Sequence, residues 1–472
     1  MKAKNFLILC SDEHAPTALS CRGHPIIKTP TLDSLAQRGT LFSRAYSPSP
    51  ICVPARACIA TGMQVHETRC WSSAEPYYGQ HRSWMHDLRD AGRKVVSIGK
   101  LHFRSGEDDN GFCEEILPMY LTNGGKGWPQ ALIRDPMPGF AEAAELAREV
   151  GAGETSYTDY DRNIASLASK WLQDVNREDP WTLFVSFISP HYPLTAPQEF
   201  FDLYSDVDPP EAIDDPAVDS HPVLKEMRKF WNYDTHFDEE SRKTGMRGYY
   251  GLCSFLDHNI GQVLAALEQS GQLDDTVVLY ISDHGEMLGN HGFWAKSVMY
   301  EDSVGVPMIL AGPGIPAAVN HTPVSLTDVA ETVRDISGQE TEKPTADWAS
   351  SSLVEIANKE RPDRFVLSEY HDGGSPTGFY MIRQGDWKYV YYADSNPTQL
   401  FNLAEDPDEL NDLSSNSEYS MQLDRMHALL LDILDPEAVN KQAFADQQVT
   451  IDKNGGREAI MQMPSFNHTP IG

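Results

Sequence analysis

Cys52, Pro54 and Arg56 fall within the pentapeptide Cys52-Val53-Pro54-Ala55-Arg56, and Thr61-Gly62 follow closely. The spacing reads as a reactive group delivered at the start of a helix. Pro54 suits the first helical position, where its missing N–H costs nothing. Arg56 then lies in the first turn, beside free backbone N–H groups and the positive end of the helix dipole. A nucleophile, a guanidinium and a helix N-terminus converging on one point suit a tetrahedral oxyanion such as sulfate or phosphate. Alone, the pentapeptide reads equally as a buried Cys ahead of an ordinary helix.

The elements that must position these groups are legible as short apolar runs at residues 6–10, 95–98, 183–188 and 277–281, each followed at once by polar residues. Helical patterns lie between them, at 31–37 closed by Gly39 and at 249–268 closed by Gly271. Strands alternating with helices predict an α/β fold with a large, mostly parallel sheet sandwiched by helices, whose ligands sit at the carboxyl ends of strands. Two acidic clusters stand there: Asp12-Glu13 after the first run and Asp283-His284 after the last. Carboxylates suit a hard divalent cation, and an imidazole extends the range to manganese. Each Asp also reads, by itself, as a helix N-cap.

The pentapeptide with Thr61-Gly62 resembles the signature of the type I sulfatases, although many members have Ser where this chain has Ala55. The other clusters follow in the family's order. Sulfatases carry an Asp-Asp or Asp-Gln pair after the first strand, where Asp12-Glu13 stand, and an Asp-Asn or Asp-His pair late in the sheet, where Asp283-His284 stand. Gly99-Lys100-Leu101-His102 resembles the Gly-Lys-x-His element, His191 stands where a family His contacts the ester, and Lys296 resembles the second sulfate-binding Lys. His291 reads as structural or as one step removed from the reacting groups. The resemblance spans residue 5 to about residue 413. It places the chain in the alkaline phosphatase superfamily, on the Asp-His branch with choline sulfatases and phosphonate monoester hydrolases.

The resemblance implies a sulfuric ester hydrolase. Cys52 is expected to be oxidised by a formylglycine-generating enzyme, and the hydrated aldehyde to be the nucleophile. One divalent cation, calcium or manganese, is expected on Asp12, Glu13, Cys52, Asp283 and His284, with Glu13 in direct contact or one step removed. Arg56, Lys100 and Lys296 are expected to neutralise the sulfuryl oxygens, His191 to protonate the leaving alcohol and His102 to help expel sulfate. The substrate is read as a small alkyl or aryl sulfate ester. Trp71, Tyr77, Tyr78, Trp84, Trp128, Trp231, Tyr250, Trp294 and His371 are candidates to hold its organic half, by stacking on an aryl ring or by enclosing a quaternary ammonium such as choline. The alternatives are a phosphonate monoester or phosphodiester hydrolase on the same scaffold, in whose members Tyr and Thr typically replace the Gly-Lys-x-His element, and a non-catalytic metal- or anion-binding protein.

The chain has 472 residues, 40% of them hydrophobic, enough for a substantial core. Its formal charge of −31 argues against nucleic acid and anionic membrane surfaces as partners. The seven Cys are an odd number without zinc-ligand spacing, which reads as reduced thiols. With Met1-Lys2-Ala3-Lys4 leading straight into the first strand, a cytoplasmic protein is expected. No apolar run reaches membrane-spanning length.

The expected organisation is a catalytic domain over 1–350, a small C-terminal subdomain with an antiparallel sheet over 351–434, and a polar, loop-rich tail or oligomerisation arm over 435–472. The polar stretch 339–352, with Lys343-Pro344, marks the first boundary. Strands are expected at 379–383 and 387–392, on either side of a turn at Gln384-Gly385-Asp386.

Overall fold

The computed structural model describes residues 4–339, 346–465 and 469; Lys343-Pro344 and Met1-Lys2-Ala3 lie outside them. Eight strands form the main sheet: β1 (Asn5–Asp12), β2 (Gly39–Phe42), β3 (Lys94–Lys100), β4 (Glu114–Met119), β5 (Trp181–Pro190), β6 (Thr276–Ser282), β7 (Met308–Ala311) and β8 (Ala318–Asn320). Their spatial order is β8-β2-β7-β6-β1-β5-β3-β4. Neighbours run parallel except at β7, which is antiparallel to both β6 and β2.

The central strands are apolar because both faces are covered. Phe6, Ile8 and Cys10 of β1 join Val277, Leu279 and Ile281 of β6 on one face. That face packs under the helices α2 (Cys52–Thr61) and α5 (Asp328–Ser337). Leu7, Leu9, Val278 and Tyr280 point the other way. They pack under α1 (Pro30–Gln37), α3 (Ser156–Asp174) and α4 (Glu239–Gln269). The period-two alternation along each strand thus feeds two cores.

α4 begins ten residues before the helical pattern visible in the sequence. Asp238 and Ser241 cap it reciprocally: Asp238 Oδ1 accepts the Ser241 N–H at 2.8 Å, and Ser241 Oγ accepts the Asp238 N–H at 2.9 Å. Gly248 breaks the apolar rhythm for a packing reason, since a Cβ there would stand 2.0 Å from the Leu194 carbonyl oxygen.

The second sheet is antiparallel and four-stranded, in the order β9 (Phe365–Tyr370), β10 (Phe379–Gln384), β11 (Trp387–Tyr392) and β12 (Gln399–Asn402). One face, with Val366, Tyr370, Phe379, Met381 and Val390, packs on Met227, Val298 and Tyr300 of the main body. The other, with Leu367, Tyr380, Ile382 and Leu400, takes Met426 and Leu430 of α6 (Ser420–Ile433).

The tail expected to be loop-rich is helical instead, with α7 spanning Pro436–Lys453. Its inward face is polar, which hid its period from a hydrophobic reading. Asn440 Oδ1 accepts the Gly378 N–H at 2.8 Å, and Gln447 Nε2 donates to the His371 carbonyl at 2.7 Å. The helix therefore packs on the body of its own chain. Among the described residues no helix is long and apolar enough to cross a membrane.

Candidate active site

β1, β3, β5 and β6 lie side by side and parallel, so their carboxyl ends open on one edge of the sheet. After Asp12 the backbone turns through a left-handed residue, Glu13, with φ 67°. Tyr249 holds this turn, its hydroxyl donating to the Glu13 carbonyl at 2.9 Å and accepting the Ala15 N–H at 2.8 Å. Cys52 arrives from the side, as the first residue of α2. Pro54 sits in the third helical position, not the first as its sequence context predicted; the opening N–H groups of a helix have no partner, so proline costs no hydrogen bond there either.

Four side chains meet at the centre. Cys52 Sγ lies 3.0 Å from His284 Nε2 and 3.7 Å from Asp12 Oδ1. His284 Nε2 is 3.7 Å from the Oδ1 atoms of both Asp12 and Asp283. One ligand atom from each of Asp12, Cys52, Asp283 and His284 lies within 4.8 Å of all the others, and all four residues are buried. His284 Nδ1 is 3.1 Å from the Gly285 carbonyl. That contact commits Nδ1–H outward and leaves the Nε2 lone pair facing the cluster. Burial, reinforced by the Lys296 charge, brings the imidazole down to about 4 and keeps it neutral. Burial, with the Asp12 carboxylate adding to it, pushes the Cys52 thiol well up. Two inward carboxylates and a neutral imidazole fit a divalent cation.

Arg56 stands behind this cluster. Its Nε donates to Asp283 Oδ2 at 2.8 Å, Nη2 to Asp12 Oδ2 at 3.0 Å, and Nη1 to the Lys100 carbonyl at 2.8 Å and Ser186 Oγ at 3.0 Å. The guanidinium is buried and does not line the cavity in front of Cys52, so it grips the carboxylates from the rear. Burial opposes ionisation of Asp12, but Lys100, His191 and Arg56 together outweigh it and hold the carboxyl well below the usual range. Asp283 is pushed the other way, to about 6, by burial and by the Asp12 charge.

A second group sits beside the first. Glu13 Oε2 is 3.0 Å from Lys296 Nζ and 3.2 Å from His191 Nε2, and Lys296 Nζ is 2.9 Å from His191 Nε2. His191 Nδ1 is 2.7 Å from the Tyr192 carbonyl, which turns the Nε2 lone pair toward Lys296. Burial, partly offset by Lys296, raises Glu13 to about 7. His102, left-handed at φ 56°, is buried with both ring nitrogens unpartnered. Burial and the Lys100 charge hold it well below its ordinary value, as a neutral base.

Cys52, Glu13, Lys100, His102, His191 and Lys296 line the head of a cavity of about 130 Å³. Trp128, Phe140, Trp231, Tyr233 and Trp294 wall the rest. Trp231 and Tyr233 stack at 5.8 Å, and Phe140 meets Trp231 edge-on at 5.2 Å.

The Sulfatase family model matches residues 4–338, and a model described as N-sulphoglucosamine sulphohydrolase, C-terminal, matches residues 289–435. The chain belongs to the sulfatase family. This sulfatase is 34% identical over 433 residues to the choline-sulfatase of Rhizobium meliloti (strain 1021), across 87% of this chain and 82% of that one. It is 29% identical to arylsulfatase K of Danio rerio, across 93% and 85% of the two chains. Its fold is similar to that of the phosphonate monoester hydrolase of Agrobacterium radiobacter, with a TM-score of 0.75 at 22% identity over 93% of this chain and 96% of that one. The sulfatase is thus an α/β enzyme with a large, mostly parallel sheet between helices and a small antiparallel C-terminal sheet.

The candidate catalytic and metal-holding residues all gather at this strand edge, whereas His291 hydrogen-bonds Asp215 at 3.1 Å and stacks on Tyr300 away from the cavity. Of the aromatic candidates, Trp128, Trp231 and Trp294 line the cavity. Trp71, Tyr77, Trp84, Tyr250 and His371 are buried elsewhere, and Tyr78 is 42% exposed. Phe140 and Tyr233 escaped the sequence reading, because they lie in segments without strand or helix period. Glu286 also escaped it, although it follows His284 by two residues. Its Oε1 accepts the N–H groups of Leu288 and Ala295, at 2.8 and 2.7 Å, and so closes the loop that carries Lys296.

Proposed function

We propose that the enzyme hydrolyses a small alkyl or aryl sulfate ester to the alcohol and inorganic sulfate, using a formylglycine derived from Cys52 and one divalent cation, calcium or manganese. The observation that carries this reading is the placement of Cys52 Sγ 3.0 Å from His284 and 3.7 Å from Asp12, in a cavity also lined by Lys100 and Lys296. Asp12, Asp283 and His284 would hold the cation, with Glu13 beside it. When present, the hydrated formylglycine would supply the two hydroxyls that hydrolysis needs, one as nucleophile and one to release sulfate, and the cation would make them more acidic.

The chain's own residues do the rest. Lys100 and Lys296 meet the sulfuryl oxygens as charge develops on them. Arg56 fixes Asp12 and Asp283, so its contribution to the anion is made through them. His191 relays a proton to the leaving oxygen: Nδ1–H is committed to Tyr192, so the Nε2 lone pair takes the proton from the Lys296 ammonium, 2.9 Å away, and passes it on. His102, neutral and without a partner, takes the proton of the second hydroxyl. The aromatic walls take the organic half by stacking, or by cation–π contact with a quaternary ammonium, the chemistry that the name of the choline-sulfatase relative carries. The seven unpaired thiols suit a reducing compartment, which fits a cytoplasmic enzyme matured by a formylglycine-generating enzyme.

Phosphonate monoester hydrolysis is the second reading, favoured by the fold likeness to that enzyme and by Asp283-His284. Lys100 and His102 weigh toward sulfate. The test is the initial rate of protein co-expressed with a formylglycine-generating enzyme on an aryl sulfate, an aryl phosphonate monoester and choline sulfate, beside Cys52→Ala. Sulfate release that depends on Cys52 and exceeds phosphonate turnover is expected; turnover that survives in Cys52→Ala would sink the assignment.

A further inference from the structure

The aromatic end of the cavity belongs to the catalytic body, but its backing comes from the C-terminal sheet. The loop from β9 to β10 carries Asp372-Gly373-Gly374-Ser375 under two of the cavity's walls. A Cβ on Gly374 would stand 2.7, 2.8 and 2.9 Å from Cε2, Nε1 and Cζ2 of Trp231, closer than side-chain carbons come, and Gly374 holds a left-handed φ of 81°. A Cβ on Gly373 would stand 3.2 Å from Cζ3 of Trp128 and 2.8 Å from the Cα of Ala131. The two indoles lie with centroids 5.7 Å apart, tilted by 37°.

Asp372 ties the same loop to a third cavity residue. Its Oδ2 accepts the Ser73 N–H at 3.0 Å and the Ser73 hydroxyl at 2.5 Å, while the Ser73 carbonyl accepts the Trp128 N–H at 3.2 Å. The loop is fastened on its far side. Tyr370 donates to the Gly373 carbonyl at 2.7 Å, Arg134 Nε to the Ser375 carbonyl at 3.0 Å, and Gln447 of α7 to the His371 carbonyl at 2.7 Å. A loop so held cannot retreat; when it gains bulk, the indoles must move.

We propose that Asp372, Gly373 and Gly374 are positioning residues that determine which alcohol the enzyme accepts, by setting how far Trp128 and Trp231 stand into the cavity. They do not themselves line the cavity. Their role rests on the reading of the aromatic cavity as the alcohol site. Among the described residues no hydrogen bond or ion pair joins Lys100 or Lys296, which build the anion end, to the loop, so the anion end is indifferent to it.

The test measures dissociation constants of 4-nitrophenyl sulfate and of inorganic sulfate by calorimetry. It uses the full-length Cys52→Ala protein, so that turnover is not needed. Adding Gly374→Ala weakens the aryl ester at least tenfold and leaves inorganic sulfate within twofold. In a Trp231→Leu background the same substitution has no further effect on the aryl ester, although its backbone strain is still present. Asp372→Asn, which keeps the shape of the loop, weakens the aryl ester several-fold and not sulfate.

Unchanged aryl affinity in folded Gly374→Ala overturns the role, as does an equal loss for both ligands or an undiminished effect in the Trp231→Leu background. If Gly374→Ala does not fold, unchanged aryl affinity in Asp372→Asn overturns it. An aryl sulfate that fails to bind the parent overturns it too. Failure of the sulfatase reading shows separately, as the absence of Cys52-dependent turnover in protein that keeps Cys52.

Discussion

Lys100 Nζ lies 2.5 Å from Asp12 Oδ2, the same oxygen that accepts from Arg56 Nη2 at 3.0 Å. Two cations on one oxygen leave Oδ1 to face Cys52 and His284. They also divide the work, because Arg56 alone reaches Asp283 as well.

Removing either cation should therefore have different effects. Arg56→Ala strands the buried carboxylate of Asp283, while Asp12 keeps Lys100, and is expected to destabilise the fold by about 3–5 kcal/mol in chemical denaturation. Lys100→Met leaves Asp12 paired with Arg56. It is expected to cost under about 2 kcal/mol of stability while lowering kcat/KM by roughly 10²-fold or more. Equal stability losses in the two variants would refute this division.

A divalent cation held as proposed would relieve the crowding of Asp12 and Asp283. Calcium or manganese is expected to raise the unfolding temperature, with stabilisation of about 2.7 kcal/mol at a hundredfold excess over the dissociation constant. His284→Ala should weaken that response and Asp283→Ala should remove it. A chelator should abolish turnover, and the same cation should restore it.

Glu75 gives the stability a pH dependence away from the reacting groups. Burial raises its carboxyl from 4.5 to about 8, with Ser72 pulling the other way. Between those values the folded chain keeps a proton that the unfolded chain has released. Its contribution is therefore fully present below pH 4.5 and is lost as pH rises to about 8. Glu75→Gln is expected to be more stable than the parent by about 1–2 kcal/mol at pH 9 and no more stable at pH 5, read from urea unfolding at both values.

Gln447 connects α7 to the C-terminal sheet, and Arg134 Nη1 donates to its Oε1 at 3.3 Å. Gln447→Ala leaves a buried carbonyl and a buried guanidinium short of a partner and is expected to cost about 1–3 kcal/mol. Gln448→Ala, on the exposed side, should change stability by less than about 0.5 kcal/mol. Calorimetric unfolding of the pair decides it.

The strand ends that carry Asp12, Lys100, His191 and Asp283 were legible because buried parallel strands are apolar runs cut off by polar residues, and the catalytic candidates are those polar residues. Arg56 was legible as a cation but not in its direction, since only the fold reveals that both carboxylates lie behind it. α7 was not legible, because Asn440 and Gln447 face inward to bond the backbone and leave no hydrophobic period. The cavity walls were half legible: Trp128, Trp231 and Trp294 stood out by residue type, while Phe140 and Tyr233 are brought in by irregular segments that no periodicity announces.

All ten residues of α2 are buried, and Cys52 itself is 6% exposed. An oxidising enzyme has no approach to that thiol once the chain has closed around it. If Cys52 is the formylglycine precursor proposed above, activation would be a matter of timing: the thiol would have to be converted while its segment is still extended, in competition with the folding that hides it. Two molecules with identical folds can then differ permanently in competence, according to which event came first.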